Sequence, residues 1–129
     1  MKFGLLTSIC EGMTFEKFEF AAENQLECLE VACWPQGGAQ RRYAGVSHID
    51  VANLDEKKAA EIKQLCQEKG VEISSLAYYP NTLEPDEKKE TAISAIYTTD
   101  GRICIAGVNM ITTFIGRDSK KNVDENMDW

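Results

Sequence analysis

The sequence predicts a parallel α/β fold, and three observations carry that prediction. Four short apolar runs, at residues 2–7, 27–32, 71–77 and 109–115, recur along the chain and read as buried strands. Between them lie stretches whose apolar residues repeat at helical spacing. Residues with chemistry on them gather just past the ends of the apolar runs, whereas the turns at the other edge, Lys69-Gly70 and Ala106-Gly107, are short and plain.

The first strand is expected over residues 2–7, KFGLLT. Thr14 then serves as an N-cap with Glu16 in the first turn, where the helix dipole favours an acid. Phe15, Phe18 and Ala22 mark one face, so a helix is expected over 14–24. The second strand, 27–32, contains Glu30, which alternation places on the face opposite Leu29 and Val31. With helices over the outer face, Glu30 points inward, where a carboxylate must be paired or hydrogen-bonded. The alternative is a solvated strand end.

The chain leaves this strand through Trp34-Pro35 and Gly37-Gly38 and runs past Arg41, Arg42 and Tyr43 to His48, its single histidine. Connections in compact domains have a median of about 4–6 residues, and longer ones tend to be functional or disordered. This one reads as a binding loop on the end of a strand, set against a solvated insertion with a covered tryptophan. Asn53 or Asp55 opens a helix running to Lys69, with Ala59, Ile62 and Cys66 inside and Gly70 as a left-handed cap. The third strand, 71–77, follows at once, and Tyr78, Tyr79, Pro80 and Asn81 leave its end. Pro85 with Asp86 and Glu87 starts a third helix whose stripe is Ile93, Ile96 and Tyr97. Asp100 then falls on that stripe, and Gly101 costs about 1 kcal/mol relative to alanine, so a break is expected over 98–102, with Gly107 ending the unit. The fourth strand is 109–115, left by Gly116, Arg117 and Asp118, and a fourth helix begins at Val123.

The order βαβαβαβ implies parallel strands joined by right-handed crossovers. Two architectures satisfy it: an open doubly wound sheet, or part of a (β/α)8 barrel. Both place a site at the C-terminal ends of the strands, where Thr7-Ser8, Cys33-Trp34, His48, Tyr78-Tyr79-Asn81 and Gly116-Arg117-Asp118 fall.

Composition narrows the function. With 129 residues, 43% hydrophobic and 27% charged, the chain suits one ordinary globular domain. A net charge of -7 argues against a nucleic-acid backbone or an anionic membrane as main partner. There is no run near the roughly 20 apolar residues of a membrane-spanning helix, and no signal-peptide pattern. The five cysteines, at 10, 28, 33, 66 and 104, form no CxxC, and four lie in apolar segments, which reads as reduced thiols in a cytoplasmic protein. One histidine leaves no His/Cys metal spacing.

Single residues carry two readings each. His48 suits a hydrogen bond to a sugar hydroxyl or carbonyl, or acid/base work near neutral pH, and equally a structural hydrogen bond. Trp34 could stack on the apolar face of a sugar or anchor its loop. Tyr78 and Asn81 offer polar partners for a polyol, though Asn81 after Pro80 is also ordinary turn chemistry. Arg117, after a glycine and before a helix N-terminus, is the anion candidate, with an ion pair to Asp118 as the plain alternative. No P-loop, GxGxxG or Ser-His-Asp order supports nucleotide binding or nucleophilic hydrolysis.

Taken together, the segments LEVACWP, RRYAGVSHIDV, GVEISSLAYYPNTL and NMITTFIGRD resemble the sugar phosphate isomerase/epimerase family of xylose isomerase-like TIM barrels, over nearly the whole chain. The resemblance implies a (β/α)8 barrel of usually about 250 residues or more. Residues 1–129 would be its N-terminal half, ending as the fourth helix begins. It implies a divalent metal in the full-length barrel, held by Glu, Asp and His from later strands, and none held by this half. Onto this half it carries a substrate wall of Glu30, Trp34, Tyr78, Asn81, Phe114 and Arg117, with His48 as the catalytic candidate. In the full barrel the metal would polarise a carbonyl or enediolate while an acid/base pair moves a proton between adjacent carbons. The expected function is thus sugar or sugar-phosphate isomerisation or epimerisation in cytoplasmic carbohydrate metabolism, with the 129-residue chain inactive by itself. The expected partners are a small sugar or sugar phosphate and a second copy, as a homodimer or larger through open barrel edges; no nucleic acid or membrane is expected. Two other functions stand beside it: a non-catalytic binding half-barrel that dimerises, and an apurinic-endonuclease-like activity, which the net charge of -7 disfavours. The stretch TTDGRICIAG departs from the uninterrupted helix of the family, which bears on the third helix rather than on the site.

Overall fold

Strand pairing begins where the chain can bring two backbones close. In the computed structural model, which describes residues 1–10, 12, 19–34, 46–79, 107–114, 116–118 and 120–127, β1 (Gly4–Leu6) lies parallel to β2 (Cys28–Ala32) with Gly4 opposite Cys28. A Cβ on Gly4 would stand 2.6 Å from Cys28 Sγ and 2.7 Å from its carbonyl oxygen, so only glycine permits this approach. A 3-10 turn, Thr7–Ile9, follows β1, and α1 (Glu19–Glu23) precedes β2. Ala21 is the fully buried residue of α1, with Ala22 half-buried beside it. The expected cap Thr14 and the stripe residues Phe15 and Phe18 lie outside the described residues.

Helix α2 (Glu56–Lys69) has both of its ends satisfied, as its sequence requires. Asp55 accepts from Lys58 N–H at 2.8 Å, a cap worth about 1 kcal/mol. At the other end Gly70 adopts φ 65°, so that Val71 N–H reaches Cys66 O and Gly70 N–H reaches Gln67 O. Ala59 is buried, and Ile62 and Cys66 half-buried, as the expected inner face has it. The chain then enters β3 (Glu72–Ala77). The third helix expected after Pro85 lies outside the described residues, but Gly107, expected to end that unit, has φ 77°. The fourth strand forms as β4 (Ile111–Thr112), two residues of the seven expected, and α3 (Val123–Met127) follows.

The strands run side by side in the order β1-β2-β3-β4, every pair parallel. This order separates the two expected architectures. A doubly wound sheet reverses direction so that its helices fall on both faces. Sequential order with right-handed crossovers keeps all helices on one face and leaves the other for a barrel interior. The chain is therefore a parallel α/β unit with the arrangement of half a TIM barrel.

A register shift fixes which side chains face which way. Leu29 pairs with Ile73, but Glu30 pairs with Ser75, leaving Ser74 as an extra residue in β3. The Ser74 hydroxyl donates to Leu29 O at 3.1 Å, at the point where the ladder is disturbed. Paired residues of adjacent strands share a face. Leu29, Val31, Leu76 and Tyr78 pack with Ala21, Leu54, Ala59 and Val108 in the core beneath the helices. Glu30, Ser75, Ala77 and Thr112 occupy the opposite, inner face. Without the shift, alternation from Ile73 would exchange the two sets in β3.

Among the described residues no helix is long and apolar enough to cross a membrane. The described cysteines are free, and burial raises the Cys33 thiol to about 12 and the thiols of Cys10 and Cys66 above their usual value. A thiol so raised stays protonated and is a poor nucleophile.

Candidate functional site

The inner face brings one carboxylate and two hydroxyls together. Thr112 is opposite Ala77, and Tyr79 stands two residues beyond Ala77, so both project onto the side that Glu30 occupies. The hydroxyls of Tyr79 and Thr112 both donate to Glu30 Oε1. They lie 3.3 Å from each other, so the three groups form one cluster spanning β2, β3 and β4. This is the kind of partner set that an inward-facing Glu30 needs. Burial raises the Tyr79 hydroxyl above its usual value; the Glu30 carboxylate adds to the rise, and the Thr112 hydroxyl opposes it. Tyr79 therefore keeps its proton near neutral pH. Glu30 Oε2 has no hydrogen-bond partner among the described residues, and Glu30 is half-buried.

Tyr79 also organises the apolar part of the wall. Its ring stacks on Phe114 with centroids 4.7 Å apart and planes at 26°. Trp34 meets the same ring edge-on, at 5.6 Å and 72°. Phe114 remains 56% exposed. The Trp34 Nε1–H is buried without a partner among the described residues, at a cost of about 1–3 kcal/mol.

A second polar link lies at the ends of β1 and β2. Thr7, fully buried, accepts from Ala32 N–H at 2.8 Å and lies 2.9 Å from His48 Nδ1. His48 Nε2 is 3.3 Å from Cys10 O. One proton arrangement satisfies every group: Thr7 donates to Nδ1, and Nε2–H donates to the carbonyl, which makes His48 the neutral Nε2–H tautomer. Burial also lowers its pKa, with the Cys10 carbonyl partly opposing. The long connection is clamped here too, since Ser47 bridges back to Cys33 and His48 N–H donates to Ala32 O at 2.8 Å.

The expected site residues separate accordingly. Glu30, Trp34 and Phe114 come together around Tyr79. Tyr78 does not join them: it faces the helix layer, 3% exposed, with its hydroxyl buried and unpartnered among the described residues. His48 sits beside Thr7, with both ring nitrogens in hydrogen bonds. Asn81, Arg41, Arg42 and Tyr43 lie outside the described residues. Arg117 is exposed in the loop after Gly116, whose φ is 76°. At the helix end beyond it Glu125 N–H donates to Asn122 Oδ1 and Asn122 N–H to Glu125 Oε2, each at 2.9 Å, a reciprocal capping box. Those amides are not open to an anion.

Sequence reasoning does not mark Tyr79 and Thr112 as partners of Glu30, or Thr7 as a partner of His48. The pairing requirement of Glu30 is the signal that could find the first two, since a buried carboxylate calls for hydroxyl donors on neighbouring strands at the same depth.

Neither face assembles a metal site among the described residues: no three His, Cys, Asp or Glu side chains converge. A groove of about 530 Å³ runs along α2, where Leu54, Ile62 and Leu65 alternate with Lys58, Glu61 and Glu68. Its lining also includes His48, Ile49 and Asp50, and it does not include Glu30.

Neither a family model nor a curated protein matches the chain. Among solved structures, it is similar to the crystal structure of the probable 3-DHS dehydratase AsbF, involved in petrobactin synthesis, from Bacillus anthracis. The TM-score is 0.62 at 21% sequence identity, and the match covers 98% of this chain and 43% of that one. At that identity the likeness is one of fold, to a TIM-barrel protein of which this chain spans less than half the length.

Proposed function

We propose that the chain is the N-terminal half of a sugar-processing enzyme of the xylose isomerase-like type, acting on a sugar or sugar phosphate as an isomerase or epimerase. The observation that carries this reading is the junction at Tyr79: one carboxylate with an open oxygen lies against an exposed aromatic stack at the C-terminal end of sequential parallel strands. Such a wall suits a small ring with hydroxyls along its edge and an apolar face. In this reading Trp34, Tyr79 and Phe114 carry the ring, and Glu30 accepts from a ligand hydroxyl. Arg117 is the candidate for a phosphate, as a side chain rather than through the capped helix end. The similar structure bears a dehydratase title, and at 21% identity the likeness supports the barrel fold of this reading without choosing the reaction. In this reading the divalent metal expected in the full barrel would be held by later strands, and binding a ring through Glu30, Trp34, Tyr79 and Phe114 needs no metal-bound step.

The test is saturation-transfer NMR on the 129-residue chain with aldoses, ketoses and their phosphates. Transfer to ring protons is expected, weakened by Phe114→Ala, which alters an exposed side chain. No transfer to any of them, or transfer indifferent to Phe114→Ala, sinks the reading.

A second reading, a half-barrel that binds its own kind, is supported by Met110, Phe114, Val123 and Met127, all exposed at or beyond the β4 edge. The two readings are compatible.

A further inference from the structure

The loop that leaves β4 is held from its far side, by the helix that follows it. Gly116, with φ 76°, is followed by Arg117 and Asp118. One side chain of α3, the half-buried Asn126, then engages the backbone of this loop in both senses. Its Oδ1 accepts from Asp118 N–H at 2.7 Å, and its Nδ2 donates to Asp118 O at 3.1 Å, so a single amide takes up both main-chain groups of Asp118. Nδ2 also lies 2.7 Å from Asn122 O and 3.3 Å from Lys121 O. These partners fix which way the amide points, because the reverse orientation would set an oxygen against three carbonyl oxygens. Asp118 passes the constraint on: its Oδ1 accepts from Lys120 N–H at 2.9 Å, and its carbonyl from Lys121 N–H at 3.2 Å.

The helix has little else to hold it. None of its residues is buried, and Val123 and Met127 are exposed. Isolated helices shorter than about 12–15 residues are marginal in water, and α3 has five. The loop and the helix therefore depend on each other, and Asn126 is where they meet.

We propose that Asn126 is a positioning residue for the rim beyond β4: it joins α3 and the loop into one unit that orders and frays together, and so fixes the backbone at Arg117. The link to Arg117 is direct, because the Asp118 N–H held by Asn126 belongs to the same peptide group as the Arg117 carbonyl. The proposal stands apart from the sugar-binding reading; where that reading holds, α3 becomes part of what presents Arg117.

Heteronuclear NMR of the 129-residue chain reads amide exchange and backbone order residue by residue. Asn126→Ala removes both halves of the link. Asn126→Asp keeps an acceptor for Asp118 N–H but replaces the donor by an oxygen facing three carbonyls. Both variants are expected to speed exchange of the Asp118 and Lys120 amides at least about tenfold. Both are expected to lower the Arg117 order parameter from about 0.85, typical of rigid backbone, to below about 0.6. The Leu76 and Tyr78 amides, which donate to Met110 O and Thr112 O between β3 and β4, are expected to stay within about twofold of the parent. Exchange in Asn126→Asp as slow as in the parent would mean that the acceptor alone suffices. An unchanged Arg117 order parameter in both variants would mean that Arg117 is held from the β4 side. Equal acceleration of loop and sheet amides would mean that Asn126 supports the fold as a whole. Each of these three results overturns the proposal.

Discussion

Replacing Thr7 by valine removes one oxygen and leaves the shape of the side chain, so it isolates what that oxygen does. β1 ends at Leu6, and Ala32 N–H, beyond the last β1–β2 pair in register, finds the Thr7 hydroxyl at 2.8 Å where a continued strand would offer a carbonyl. Thr7 is fully buried, so water does not replace the lost acceptor. Leaving a buried amide unsatisfied costs about 1–3 kcal/mol, and the part-buried contact with His48 Nδ1 at 2.9 Å adds about 0.5–1.5 kcal/mol. Thr7→Val is therefore expected to destabilise the fold by about 2–4 kcal/mol, a large share of the roughly 5–15 kcal/mol of a typical domain. Thr7→Ser restores both hydrogen bonds and loses one methyl, at about 1 kcal/mol. Urea unfolding followed by circular dichroism measures all three proteins. The nitrogen spectrum of His48 provides a second readout, because loss of the Thr7 donor releases Nδ1. A Thr7→Val protein within about 0.5 kcal/mol of the parent, or a serine variant as unstable as the valine one, would refute the assigned network.

Three further outcomes follow from the same geometry. The 129-residue chain, supplied with divalent metal, is expected to isomerise no sugar phosphate, and turnover by the purified chain would overturn the assignment of the chemistry to other residues of the barrel. The chain is expected to sediment as a dimer or larger, because β1 and β4 are edge strands and Met110 and Met127 are exposed near one of them; a monomer at every concentration would contradict this. His48 has its pKa held below 6.5 in the fold, so in that range the unfolded chain binds the extra proton. Its contribution to stability is complete above pH 6.5 and is lost as pH falls through the folded value. His48→Gln is expected to flatten the loss of stability just below pH 6.5, and parallel pH profiles for the two proteins would count against it.

Helix α2 was legible nearly to the residue because its ends are written in local chemistry: Asp55 at one, Gly70 at the other. The parallel pairing was legible from the alternation of strands and helices, but strand order was not, since it depends on which strands meet and no local signal records that. At the site, Glu30 could be read because an inward carboxylate is a conspicuous cost. Tyr78 and Tyr79 could not be told apart, because their assignment turns on Ser74, and EISSLAYY looks like uninterrupted strand. Thr7 and Thr112 were invisible as hydroxyl partners, because threonine in a strand is also simply a good strand former. The capping box at the helix end beyond Arg117 was readable in Asn122 and Glu125, three residues apart, and it takes up two of the amides there.

The extra residue in β3 means that chain length is itself a variable of the inner face. A substitution in this strand changes one side chain; a one-residue deletion upstream of Leu76 would invert the facing of everything that follows. Tyr78 would move to the inner face and Tyr79 would move under the helices, with no codon for either tyrosine altered. The two adjacent tyrosines make such a step survivable, because either position then carries an aromatic ring of the same size. The inner face can be rewritten by gain or loss of a single serine, a shorter mutational route than replacing its residues one at a time.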